Sequence, residues 1–113
     1  MREYKLYLED ILEAIGKIQN SLSHISIEVF KENIDLQDAT LRRLQLIGEA
    51  VKNIPSEIKK KFNNVEWKKI AGFRDIVTHA YFDVDLDIVW DIVKNNLPLL
   101  KPQIEITLKS YNK

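Results

Sequence analysis

The chain has no cysteine, three glycines and three prolines in 113 residues, and no excess of charge of either sign. Without cysteine there is neither a disulfide framework nor a cysteine-rich zinc site. So few glycines and prolines leave little to break long helices. Lysine plus arginine and aspartate plus glutamate balance at 17 each. Net charge therefore does not indicate a strongly basic nucleic-acid binder, although a local basic patch remains open. No apolar run approaches the ~20 residues that span a bilayer. The first residues, MREYKLYLED, are charged and carry no apolar signal core. A cytoplasmic protein with no membrane partner and no DNA partner is expected.

What is present is helical periodicity. The chain is 45% hydrophobic and 30% charged, as in soluble globular proteins, and its length fits one domain over residues 1–113. Tyr4, Leu8, Ile11, Ile15, Ile18 and Leu22 recur at spacings of four and three. They predict a long amphipathic helix over roughly 3–22. A short helix near 26–32 and a polar turn follow. Asp35 or a neighbour caps the next helix, which runs to about Asn53 with Leu36, Leu44, Ile47, Val51 and Ile54 as its apolar stripe. Pro55 ends it, and Ser56 with EIKKKF reads as a short capped helix. Asn63 and Glu66 have capping-box-like spacing before a further long helix through Phe82. Asp85 is placed to cap a helix over about 86–96. Pro98 suits the first turn of a continuation to about 110, kinked near Pro98 and Pro102. No strand pattern, internal repeat or linker is visible. The expectation is an all-α, up-and-down bundle of about five helices.

Residues 74–81, RDIVTHAY, crowd strongly polar groups onto one of these helices. With Arg74 at zero and about 100° per residue, Tyr81 lies about 20° to one side and Thr78 about 40° to the other. Asp75 falls near 100° and His79 near 140°, while Ile70, Phe73, Ile76, Val77 and Ala80 fill an opposed apolar arc. Gly72 lies beside His79, where a missing side chain opens space for a ligand or another backbone. By periodicity alone such a polar arc reads as solvated surface, and Tyr81 as a half-buried packing residue. The chemistry allows more. Asp75 and His79, at i and i+4, can hydrogen-bond, which fixes the imidazole tautomer. Arg74 offers a planar fork for phosphate oxygens. Arginine to stabilise charge on phosphorus oxygens and histidine to move a proton suit phosphodiester cleavage. In-line displacement puts nucleophile and leaving group on opposite sides of phosphorus, and one histidine can hardly serve both. His24 has no comparable setting. A nuclease built on this motif therefore calls for a twofold dimer with a composite cleft.

Asp83, Asp85 and Asp87 alternate as at the start of a calcium loop, but the glycine and distal glutamate of that loop are absent. They read instead as residues that cap and charge a helix start. Positive charge for a nucleic-acid backbone must be gathered locally. Lys59–Lys61, Lys68–Lys69 and Arg42–Arg43 are the candidates, against the ordinary reading of lysine runs as solvated faces.

RDIVTHAY resembles the R-x4-H-x-Y motif of the HepT-like branch of the HEPN ribonucleases. LRRLQLIGEAVKNIP (41–55) resembles that family's second long helix, with Gly48, Glu49 and Ala50 as its signature. WKKIAGFRDIVTHAYFDVDLDIVWDIVKNNLPLL (67–100) resembles the stretch that contains the motif. The likeness spans nearly the whole chain. It implies a HEPN helical bundle that dimerises, with Arg74 and His79 as the catalytic pair, supported by Asp75 and Thr78. It implies a metal-independent endoribonuclease without cofactor, acting on RNA as the toxin of a type VII-like toxin–antitoxin system. Its partner would be an MntA-like minimal nucleotidyltransferase that neutralises it by transferring AMP to Tyr81. Phe73 stands where methionine is frequent and Asp75 where asparagine is; neither departure removes a catalytic residue. The competing reading is a catalytically weak or inactive helical module that binds the nucleotidyltransferase or a nucleotide.

Overall fold

The apolar stripes anticipated above do face inward. In a computed structural model, which describes residues 2–76 and 85–111, every described element is helical. The elements are α1 (Tyr4–Leu22), α2 (Ile27–Glu32), α3 (Ile34–Lys52), α4 (Ser56–Lys61), α5 (Trp67–Ala71), α6 (Leu86–Asp91) and α7 (Leu97–Tyr111). A π-helical segment, Ile92–Asn96, joins α6 to α7. The framework is α1 packed on α3 and on α7. Leu8, Ile11, Ile15, Ile18 and Leu22 of α1 are fully buried, as are Leu44, Ile47 and Val51 of α3 and Leu97 and Ile104 of α7. Burial of this apolar area, at about 25 cal/mol per Å², supplies the main stabilising term. Tyr4, the outermost member of the α1 stripe, is half-buried and meets Tyr111 edge-to-face at 4.9 Å.

The caps bear out one expectation and correct two. Asn33, a near neighbour of Asp35, caps α3: its Oδ1 accepts from the Leu36 N–H at 3.1 Å. Asp35 lies in the first turn, where its charge suits the helix dipole. Ser56 is the first residue of α4 rather than its cap, and Pro55 precedes it with no side-chain cap bond. Asn63 and Glu66 form no capping box, because α5 begins only at Trp67. Val65 and Trp67 are both buried, and the turn that buries them uses the residues a longer helix would have taken.

Asp85 caps α6 as expected; its Oδ1 accepts from the N–H groups of Asp87 and Ile88 at 3.0 and 3.3 Å. Asp87 pairs with Lys31 of α2 at 2.9 Å, which accounts for two of the three alternating aspartates without a metal; Asp83 lies outside the described residues. Phe30 of α2 meets Trp90 of α6 at 5.4 Å, a contact the periodicity did not signal. Asp85→Ala should therefore lower stability by about 1 kcal/mol. Thermal melting should fall by about 4–8 °C, and an unchanged midpoint would refute the cap.

The helix expected over 86–96 changes pitch after Asp91. Pro98 has no N–H to give the carbonyl four residues back, and its ring crowds that carbonyl. The π turn just upstream closes with the Leu97 N–H on the Ile92 carbonyl and admits one extra residue there. Lys94, within this turn, donates to the Leu22 carbonyl at the end of α1 (2.9 Å) and lies 4.7 Å over the Trp90 ring.

Candidate active site

Arg74 and Asp75 are exposed, on the helical turn that follows α5. Their position is set by buried neighbours. Trp67, 7% exposed, anchors the start of α5 by donating Nε1–H to the Phe62 carbonyl at 3.0 Å. Ile70 and Phe73 are 4% and 2% exposed, and Ile76 is half-buried against the same core. Residues 70, 73 and 76 thus face inward while 74 and 75 face out, as the helical angles require. Thr78, His79 and Tyr81 lie outside the described residues, as does the Asp75–His79 hydrogen bond.

The expected single helix is interrupted at Gly72. The Asp75 N–H bonds the Gly72 carbonyl three residues back at 3.0 Å, and the Ile76 N–H bonds the same carbonyl at 3.3 Å. A Cβ at Gly72 would meet the Lys69 carbonyl at 3.2 Å and the Lys68 carbonyl at 3.6 Å, both in its own preceding turn. The atoms nearest that position all belong to Lys68 and Lys69, so among the described residues no other helix packs against Gly72 there. Gly48 of α3 is where another backbone does come close. A Cβ there would lie 3.1 Å from the Arg74 nitrogen, 3.2 Å from the Arg74 Cβ and 3.2 Å from the Ala71 carbonyl oxygen. The absence of a side chain on α3 is what lets the Arg74 backbone pack directly on that helix. The sequence marks Gly48 as a family signature. It does not reveal that the atoms Gly48 accommodates belong to Arg74.

The candidate basic residues separate into two settings. Arg42 and Arg43 line a groove of about 610 Å³ between α1 and α3, together with Asp10, Glu13 and Glu49. Positive charge there is answered by acids, and Arg2 is already paired to Asp10 at 2.7 Å. Lys59, Lys60, Lys68 and Lys69 instead line one concavity between α4 and α5. Among the described residues no three His, Asp or Glu side chains converge as metal ligands, and no helix is long and apolar enough to cross a membrane.

The ribonuclease HepT-like family profile matches residues 11–106. The chain is 42% identical over 104 residues to a "Probable ribonuclease HepT" of Thermococcus cleftensis, covering 92% of this chain and 94% of that protein. It is 38% identical over 109 residues to a "Putative RNase" of Caldanaerobacter subterraneus, covering 96% and 97%. A "Gamma-glutamylcyclotransferase and putative RNase" of Methanocaldococcus jannaschii is 39% identical over 112 residues; the chain aligns almost entirely but spans only half of that protein. No solved structure gives a significant match. The family profile covers α3 with its Gly48, the turn that carries Arg74 and the whole of RDIVTHAY, and on that extent of agreement the chain belongs to the ribonuclease HepT-like family.

Proposed function

We propose that the chain is a metal-independent endoribonuclease, the toxin of a type VII-like toxin–antitoxin pair. It works as a homodimer and is silenced when a cognate MntA-like nucleotidyltransferase transfers AMP to Tyr81. Residues 1–113 act as one domain, in the cytoplasm. Membership of the ribonuclease HepT-like family carries this reading, because the matched residues 11–106 contain Arg74, Asp75, Thr78, His79 and Tyr81 together. The exposure of Arg74 and Asp75, opposite buried Ile70 and Phe73, supports a motif that faces a substrate rather than the core.

In this reading the 2′-hydroxyl of RNA attacks the adjacent phosphorus and the bond to the 5′-oxygen breaks. The products are a 2′,3′-cyclic phosphate and a 5′-hydroxyl. Arg74 offsets the charge that grows on the phosphorus oxygens. His79 takes the proton of the attacking hydroxyl, and the partner's His79 returns one to the leaving oxygen. Asp75 orients the imidazole, and Thr78 supports the pair. Tyr81, which helical periodicity would bring to the side of Arg74, takes no part in the displacement. An AMP attached to it brings negative charge and bulk to the arginine that would receive the RNA.

Purified chain in EDTA should cut single-stranded RNA and leave DNA of the same sequence intact. RNA that survives at every protein concentration sinks the enzyme reading in favour of a helical module that binds the nucleotidyltransferase or a nucleotide. After co-expression with the partner, mass spectrometry should find AMP on Tyr81. A neutralised complex with unmodified Tyr81 would point to inhibition by occlusion.

A further inference from the structure

A chain of zero net charge must still hold a polyanion, and the fold brings together what the sequence separates. The turn between α4 and α5 is fixed by buried Val65 and Trp67 and by the Trp67 Nε1–H bond to the Phe62 carbonyl. It folds α5 beside α4, so that Lys59 and Lys60 from one helix and Lys68 and Lys69 from the other line a single open concavity of about 750 Å³. Among the described residues Glu66 is the only carboxylate in its lining. Among the described residues none of these four ammonium groups is in an ion pair, whereas Lys17 and Lys31 each have a carboxylate within 3.0 Å. Partial burial pushes the Lys59 ammonium below the ordinary lysine value, and no acid offsets it.

We propose that this concavity is an RNA-backbone subsite, in which Lys59, Lys60, Lys68 and Lys69 bind phosphodiesters that flank the one at Arg74. The proposal rests on the ribonuclease reading and adds to it where the rest of the strand lies. Four separate point charges over a wide surface suit a flexible polyanion better than one small anion, which a planar arginine fork would hold. Arg74 follows Lys68 and Lys69 by only six and five residues, across the turn at Gly72, so a strand of a few nucleotides would reach from one to the other. Trp67 is buried and its N–H is taken, so it offers no base-stacking platform. The subsite therefore reads phosphate and not sequence.

The probe is a fluorescein-labelled single strand of 2′-O-methyl nucleotides, which lacks the attacking hydroxyl and stays intact. Lys59→Ala with Lys60→Ala, and Lys68→Ala with Lys69→Ala, should each weaken its binding about tenfold. Each pair should also flatten the dependence of log K on log salt by about 1.4, because one single-strand phosphate contact contributes about 0.7. Lysine-to-glutamine pairs, which keep the apolar stems, should do the same with unchanged melting. Lys101→Ala with Lys109→Ala, on α7, should bind as the parent does. A dinucleotide substrate, too short to reach the concavity, should be cut at the parent's rate by all the lysine variants. Parental affinity and salt slope in both lysine pairs overturn the subsite, and do so even if those variants lose the protein partner instead. A parent that cuts RNA in the same experiment leaves the ribonuclease reading standing; a parent that neither binds nor cuts overturns both.

Discussion

Arg74→Ala should lower kcat for RNA cleavage by about 10²–10³, the usual effect of removing one charge-stabilising donor from a transition state. Its melting should stay within about 0.5 kcal/mol of the parent, as expected for an exposed position. Arg74→Lys separates charge from geometry. A lysine restores the charge but not the planar pair of donors, so it should recover only part of the rate. His79→Ala should cost about 10²–10⁴. The double variant should be little worse than His79→Ala alone, because groups that act in one displacement are not additive. RNA cleavage and thermal melting on the same preparations decide the matter. An Arg74→Ala protein that cuts at the parental rate removes the arginine from the chemistry.

The features that could be read from the sequence are those set by local periodicity. The α1 stripe and the inward Ile70 and Phe73 follow from 3.6 residues per turn, and the same count turns Arg74 and Asp75 outward. Asp85 was legible because a cap needs only its own next three residues. The failures that bear on the site share one cause: they depend on what another element does. Asn63 and Glu66 have the spacing of a capping box, but the burial of Val65 and Trp67 against the core decides where α5 starts. The four lysines are two ordinary charged runs until the fold sets α4 beside α5. Gly72 and Gly48 show the same contrast at the site itself. A helical wheel puts Gly72 on the motif's own face and draws the eye to it. No wheel for α5 can show that the open side chain position lies on α3.

That contrast gives the second large effect. At Gly48 an added Cβ meets the Arg74 nitrogen, the Arg74 Cβ and the Ala71 oxygen at 3.1–3.2 Å. Two of these are backbone atoms, so no flexible side-chain end can swing away. Helix propensity acts the other way, since alanine is favoured over glycine in a helix by about 0.5–1 kcal/mol. In Gly48→Ala the two terms oppose each other and melting should change little. The rate should not be spared. The atoms that must shift belong to Arg74, and misplacing a catalytic group by as much as 1 Å can cost about 10²-fold. Gly48→Ala should therefore lose at least tenfold in RNA cleavage at near-parental stability. Gly48→Val, with two further methyl groups in the same space and a smaller gain in propensity, should lose about 1–3 kcal/mol as well. Gly16 of α1 is the control, because a Cβ there meets nothing within 4 Å. Gly16→Ala should gain about 0.5–1 kcal/mol and keep the parental rate. If Gly48→Ala behaves as Gly16→Ala does, more stable and equally active, then the close packing of α3 on the Arg74 backbone has no part in positioning the arginine.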